Sequence, residues 1–369
     1  MAVQTSKAVV VRALNQYAVE EVIIDPPKAG EIKVKMKATG VCHSDLSMIN
    51  GTIPCTMPVV IGHEGAGIVE ELGEGVTQFE LGDHVVLSFI PFCGDCHSCH
   101  THQPFLCTAG SPHPGLMLDG TTRVHSAVNG EALGVMTQLG CMSEHIVAPA
   151  VSAVKIDKSI PFDKAALVGC GVMTGVGAAI NTAKVTPGSS VVVFGCGGIG
   201  LSIIQGARLS GAGMVIAVDL ADNKLDMAKN FGATHTINSS NIDPQEEIMK
   251  LTARGADFAF EAVGQNFLME LAYACTRRGG TTTIVGVGSP AKNFSVDSLT
   301  IGMSAKTIKG CMYGSANPPR DFPMLLDLYQ AGKLNLDDMV SKTYSIDDIH
   351  QSLEDMQANA NARGVLIYN

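Results

Sequence analysis

Charge is scarce in this chain, and it does not gather. Charged residues make up 16% of the 369, the net charge is -10, and no cluster of lysine and arginine occurs. That excludes the electrostatic footprint of a nucleic-acid or anionic-membrane partner. A secretory signal is not expected either, because the opening holds only a short apolar run, Ala8 to Val11, bounded by Lys7 and Arg12. No low-complexity tract and no internal repeat is visible. One stretch, Val185 to Ala207, lacks charged side chains and is long enough to raise the question of a membrane span. Pro187, Gly188 and the later glycines break it into turn, strand, turn and helix, so no span is expected. Eleven cysteines, an odd number with no signal before them, argue against a disulfide framework and for a reducing cytoplasm. The length implies two domains, since a single core rarely grows beyond about 250–300 residues.

Against these absences stands one dense cluster. Cys93, Cys96, Cys99 and Cys107 place four thiols within a short segment. The first two spacings also open an iron–sulfur pattern, but there the fourth cysteine follows after three residues and precedes a proline. Here it precedes Thr108. Four thiolates at tetrahedral geometry form a closed zinc site, which clamps a loop and has no open position for a substrate.

The first half of the chain reads as mostly β, with strand-like runs at Ala8–Val11, Ile32–Met36, Gly67–Glu70 and Asp83–Leu87. From about Cys170 the character changes to alternation. Strands at Ser190–Phe194, Val215–Asp219, Phe258–Glu261 and Thr282–Val285 are separated by helix candidates such as Ile199–Leu209, the pattern of a parallel sheet with crossover helices. Gly195-Cys196-Gly197-Gly198-Ile199-Gly200 lies between strand and helix, where glycines permit a tight turn and a dinucleotide pyrophosphate can meet the helix N-terminus. Asp219 ends the next strand, placed to accept hydrogen bonds from the adenosine ribose and to disfavour a 2′-phosphate, so NAD is expected over NADP. A surface acid at a strand end is the alternative for Asp219. The tail carries amphipathic helices, among them Asp321–Ala331, and a closing apolar run Val365–Tyr368.

Cys42, His63 and Cys170 could form a second metal set of two thiols and one imidazole, which leaves zinc an exchangeable position for an alcohol oxygen. Their spacing does not establish convergence, and single cysteines and histidines are more often inert packing. The wider pattern does more. Gly62-His63-Glu64 with Gly67, Gly73 and Val76, the four-cysteine lobe, Gly169 to Gly175, and the interval from Gly195 to Asp219 stand in one order. In these motifs the chain resembles the zinc-containing medium-chain alcohol dehydrogenases along essentially its whole length.

The resemblance implies an α/β protein. A mostly-β GroES-like catalytic domain, residues 1–171 with 315–369, would join a doubly wound Rossmann coenzyme domain, residues 172–314. It further implies two zinc ions per chain. Cys42, His63 and Cys170 would hold the catalytic ion, with Asp45 orienting His63 and Glu64 lying behind the metal. Ser44 would relay the alcohol's proton. His43 and Arg363 would contact the NAD pyrophosphate and Lys224 the adenosine ribose. Thr174, Val263, Val285 and Val287 would fall around the nicotinamide, Tyr313 would also contact the cofactor, and Phe89 and Met312 would lie beside the substrate channel. The expected reaction is reversible hydride transfer between NAD and a primary aliphatic, allylic or aromatic alcohol.

Two departures bear on this. Ser47 stands where family members often have a histidine that ends the proton relay, and a hydroxyl is a poor base near neutral pH. Ser111 stands where the glutathione-dependent formaldehyde dehydrogenases of the family carry an arginine for the peptide carboxylate, although Arg123 could supply charge from the same loop. The alternatives are therefore a thiol-adduct formaldehyde dehydrogenase, a nicotinoprotein that keeps NAD permanently bound, and a non-catalytic member, which retention of the metal set disfavours. The long segment Gly110–Ser143 resembles that of dimeric members, so a homodimer is expected, with a tetramer as the alternative.

Overall fold

The computed structural model describes residues 4–110, 112–288, 292–358 and 361–369. Ser111 lies outside them. The chain divides into two compact units, one running to Cys170 and resuming over Asn317–Gly332 and Leu336–Asn369, the other comprising Gly171–Ala316 with Lys333–Asn335. The expected division after residue 171 and before 315 falls one and two residues from these limits. Residues 333–335, expected with the first unit, pack with the second.

The first unit opens with β1 (Gln4–Ala13), β2 (Gln16–Ile24), β3 (Glu31–Gly40), β4 (Val59–Val60), β5 (Gly65–Leu72) and β6 (His84–Leu87). It continues through β7 (Val124–Ser126), β8 (Ala132–Val135), β9 (His145–Pro149) and β10 (Ala153–Ile156). Strands β1, β2, β7, β8 and β4 close into a barrel. The two-residue period of a strand divides β1 between two cores. Val9 and Val11 join one with Ile32, Val34 and Met36 of β3. Ala8 and Val10 join the other with Val124, Leu133 and Val135.

The second unit contributes β11 (Ser190–Phe194), β12 (Met214–Asp219), β13 (His235–Asn238), β14 (Ala256–Glu261), β15 (Thr276–Ile284) and β16 (Thr307–Gly310). The chain then returns to the first unit for β17 (Val340–Tyr344) and β18 (Arg363–Ile367). In the first unit an open sheet runs β10-β6-β5-β3-β18-β17, with β9 also paired to β3. In the second, the six strands lie all parallel in the order β13-β12-β11-β14-β15-β16. That is the doubly wound dinucleotide-binding order, whose switch point falls between β11 and β14. The apolar runs of its central strands, Val191–Phe194 and Val215–Val218, are buried because helices cover both faces of such a sheet.

This architecture gathers the site at strand ends. Cys42 follows β3, His63 and Glu64 precede β5, and Arg363 opens β18, which pairs antiparallel with β3 through Val365 and Gly40. Gly62, at φ +98°, has no room for a side chain, since a Cβ would strike the Met142 amide. Among the described residues no single helix is long and apolar enough to cross a membrane; the bent pair Phe162–Val168 and Gly171–Ala183 meets length and composition alone.

Arg123 is 2% exposed, its guanidinium donating to both Glu31 oxygens at 2.8 and 2.6 Å and to Asp119 at 2.8 Å. It is therefore committed to tying the long 110–143 segment to the start of β3, and does not supply a free charge to a substrate. Removing one partner of a buried pair strands the other. Arg123→Met is expected to lower the unfolding free energy by about 3–5 kcal/mol, measured in denaturant. The double replacement Glu31→Gln with Arg123→Met should cost less than the sum of the two single changes.

Candidate active site

Cys42 is the N-cap of a short helix, His43–Ile49, and Asp45 in its first turn is wholly buried. The Asp45 carboxylate works in two directions. Oδ2 accepts the Cys42 amide proton at 2.9 Å, closing the cap, and Oδ1 lies 3.0 Å from His63 Nδ1. A proton on Nδ1 satisfies that contact and leaves Nε2 with its lone pair free. Nε2 is buried and has no hydrogen-bond partner. An imidazole oriented by a carboxylate, with its other nitrogen orphaned in the interior, is the donor arrangement of a zinc ligand.

The donor atoms of Cys42, His63, Glu64 and Cys170 all lie within 4.8 Å of one another. Cys170 reaches the group from just beyond the helix Phe162–Val168. The thiols divide their protons unequally. A hydrogen bond from the Cys170 thiol holds Cys42 well below the usual thiol range against the pull of burial, while the same bond and burial push Cys170 well above it. Burial raises Glu64 to about 7 against the pull of Arg363. Burial opposes the His63 charge, yet Asp45 and Cys42 hold that imidazole well above its ordinary value. The donor set fits a divalent cation, which would let both thiols ionise together.

Arg363, 6% exposed, donates to Glu64 Oε2 and to the Val41 carbonyl at 3.2 Å. Its outer nitrogen pairs with the carboxylate beside the metal set. Sequence reasoning missed this link, which joins residues 299 positions apart. Ser44 Oγ sits 3.7 Å from Cys42 Sγ, half-buried, and His43 beside it is exposed. Ser47 is half-buried on the same helix. The Phe89 ring meets the His63 ring edge to face, centroids 5.7 Å apart.

In the lobe, Cys96 Sγ stands 3.6 Å from Cys99 and 3.8 Å from Cys107, and Cys107 stands 3.6 Å from Cys93. A zinc–sulfur bond of about 2.3 Å at tetrahedral angles predicts an edge of about 3.8 Å. These separations fit that edge, and every cysteine among them is free of disulfide. The Cys99 amide draws the Cys96 thiol down to about 6, while burial pushes Cys99 up to about 12, so four thiolates require a cation.

The glycine loop, in the second unit, meets the demands of its motif position by position. Gly195 has φ +92°, a Cβ on Gly200 would collide with the Gly195 carbonyl, and Gly197 faces open space where an anion can approach the backbone. Gly198 and Ile199 begin the helix Gly198–Leu209, whose N-terminus no side chain caps. Asp219 Oδ2 accepts the Cys196 amide at 2.8 Å, and Oδ1 accepts those of Leu220 and Ala221 at 2.8 and 3.2 Å. The carboxylate therefore shapes the loop, with a lone pair remaining on Oδ2. Lys224 is 4% exposed, and burial lowers its pKa. Thr174, Val285 and Tyr313 turn inward and are buried, whereas Val263, Val287 and Met312 are exposed.

Fold and site together define a zinc-binding dehydrogenase built from a GroES-like barrel unit and a Rossmann unit. The family models agree: "Alcohol dehydrogenase GroES-like domain" matches residues 28–158 and "Zinc-binding dehydrogenase" residues 198–331. The chain is 41% identical to the S-(hydroxymethyl)glutathione dehydrogenase of Paracoccus denitrificans, over 99% of this chain and 100% of that protein. It is 39% identical to the NDMA-dependent alcohol dehydrogenase of Amycolatopsis methanolica, over 99% of each. The crystal structure of benzyl alcohol dehydrogenase from Acinetobacter calcoaceticus superposes with a TM-score of 0.94 at 32% identity, covering 99% of this chain and 100% of that one. The chain belongs to the zinc-binding medium-chain dehydrogenase family and is an oxidoreductase of the alcohol–aldehyde type.

Asp45→Ala should weaken zinc at the Cys42 site by about 10–100-fold, the usual cost of removing such an orienting partner. Chelator competition with zinc counting reads this directly: one ion per chain should leave early while the lobe keeps its own. An unchanged release profile would remove Asp45 from its assigned role.

Proposed function

We propose that the chain transfers hydride between a hydroxyl-bearing carbon and NAD at the Cys42–His63–Cys170 centre. The observation that carries this is the orphaned, carboxylate-oriented Nε2 of His63 among two thiols. Zinc held there supplies Lewis acidity toward the substrate oxygen, and NAD on the glycine loop supplies the hydride acceptor. The chain's own side chains do the rest. Cys42, His63 and Cys170 hold the metal, and Asp45 fixes the ring. Ser44 receives the hydroxyl proton and passes it on, with no histidine at position 47 to store it. Phe89 walls the substrate side against water. Asp219, at the ribose position, favours NAD over NADP.

The likeness to relatives named for S-(hydroxymethyl)glutathione and for NDMA favours two narrower forms over plain exchange of NAD with a free aliphatic alcohol. A substrate carried on glutathione needs a cation for its carboxylates. Arg123 is already paired with Glu31 and Asp119, and Ser111 brings no charge. A form that retains NAD and passes its electrons to a second acceptor has no such requirement, and it is the form we put first. A small alcohol or aldehyde is then the partner in chemistry and a second copy of the chain the partner in assembly, with the cytoplasm as the place of action.

Protein carried through gel filtration and then denatured should release NAD in stoichiometric amount, and alcohol oxidation should proceed with NDMA as acceptor. Release of no nucleotide, with turnover that needs added NAD, would overturn the retained-cofactor form. Formaldehyde oxidation strictly dependent on glutathione would establish the thiol-adduct form instead. Cys42→Ala should abolish turnover in every form, and unchanged turnover would remove the assigned centre.

A further inference from the structure

Glu261 closes β14 at the switch point of the parallel sheet, level with Phe194 of β11, the residue before the glycine loop. It is completely buried. Its Oε1 accepts three successive backbone N–H groups, from Val263 at 2.9 Å, Gly264 at 2.7 Å and Gln265 at 3.3 Å. Its backbone carbonyl accepts two more, from Val285 at 2.9 Å and Gly286 at 3.0 Å. One residue thus shapes the loops that leave both β14 and β15.

Those loops approach one another backbone to backbone. A Cβ on Gly264, at φ +89°, would strike the Val287 carbonyl, and one on Gly286 would come 2.7 Å from Glu261 Oε2. Backbone lies on backbone with the carboxylate as the peg. The outward products are Val263 and Val287, 48% and 74% exposed. Val263 also closes over Gly195, where a Cβ would meet its Cγ2. Bare apolar side chains at the carboxyl ends of strands, beside the glycine loop, form a surface for a flat ring at the far end of a dinucleotide.

We propose that Glu261 is a positioning residue for the nicotinamide end of the cofactor, acting through the two loops that present Val263 and Val287. This rests on the NAD reading above. Shortening or removing the side chain frees three amides and lets the loops spread, while the glycine loop and Asp219, which serve the adenosine and pyrophosphate, keep their own hydrogen bonds.

The test uses two ligands on protein freed of bound nucleotide. NADH carries the nicotinamide and ADP-ribose lacks it. Glu261→Ala should weaken NADH by about tenfold, the worth of roughly one or two hydrogen bonds, and leave ADP-ribose within about twofold. Glu261→Gln retains the accepting oxygen and should stay within about threefold of the parent for both. If the Ala variant does not fold, Glu261→Asp, whose shorter arm withdraws the acceptor, carries the same expectation. Equal weakening of the two ligands, or none, overturns the proposal. A parent protein that binds neither ligand overturns the NAD reading and this inference with it.

Discussion

The catalytic unit is organised around a buried excess of negative charge. Cys42, Cys170, Asp45 and Glu64 are brought together in a space from which water is largely shut out, and Arg363 is the only permanent cation paired there among the described residues. In the chain alone, proton sharing holds Cys42 low and Cys170 high, because two adjacent thiolates cannot both be buried uncompensated. A divalent cation removes the conflict and allows both to ionise. The rest of the unit serves this balance. β3, β5 and β18 are paired so that their ends converge, and the glycine at position 62 lets the chain pass against Met142 before His63.

Asp45 and Glu64 answer the same charge problem in different ways. Asp45 is satisfied twice over, by an amide and an imidazole nitrogen, and so behaves as fixed scaffolding. Glu64 is satisfied once. Arg363 holds Oε2, while Oε1 is buried with no partner. Within the same 4.8 Å cluster as the three ligands, an underused carboxylate oxygen is a spare donor held back by a guanidinium. The Arg363–Glu64 pair therefore limits how much negative charge reaches the metal set.

Much of this was legible in the sequence where a motif is local. The four thiols of the lobe and the glycines from 195 to 200 are each confined to one short segment, so spacing reports geometry, and their sulfur separations and glycine contacts follow from it. The alternating second half likewise announced its parallel sheet. Cys42, His63 and Cys170 sit on three elements that meet only through tertiary pairing, and only the family pattern linked them. What no pattern disclosed was the second occupation of a side chain. Arg363 was assigned to the pyrophosphate, and no motif announced its pairing with Glu64. Arg123 looked like available charge and is locked to Glu31 and Asp119. Long cationic side chains leave no periodic trace of which carboxylate they find.

Carboxylates at strand ends recur as backbone organisers in the second unit. Asp219 gathers amides of Cys196, Leu220 and Ala221, and Glu261 gathers those of Val263, Gly264 and Gln265. Each stands where a parallel strand ends, and the amides just beyond a strand end have no ladder partner. Supplying an anion to those amides fixes loops that carry few side chains of their own. It also explains why both loops can be rich in glycine without losing shape: the constraint lies in the acceptor, and the missing Cβ atoms are what allow close approach. In a cofactor-binding unit this is a consistent division of labour, with glycines making the space and buried acids holding its walls in place.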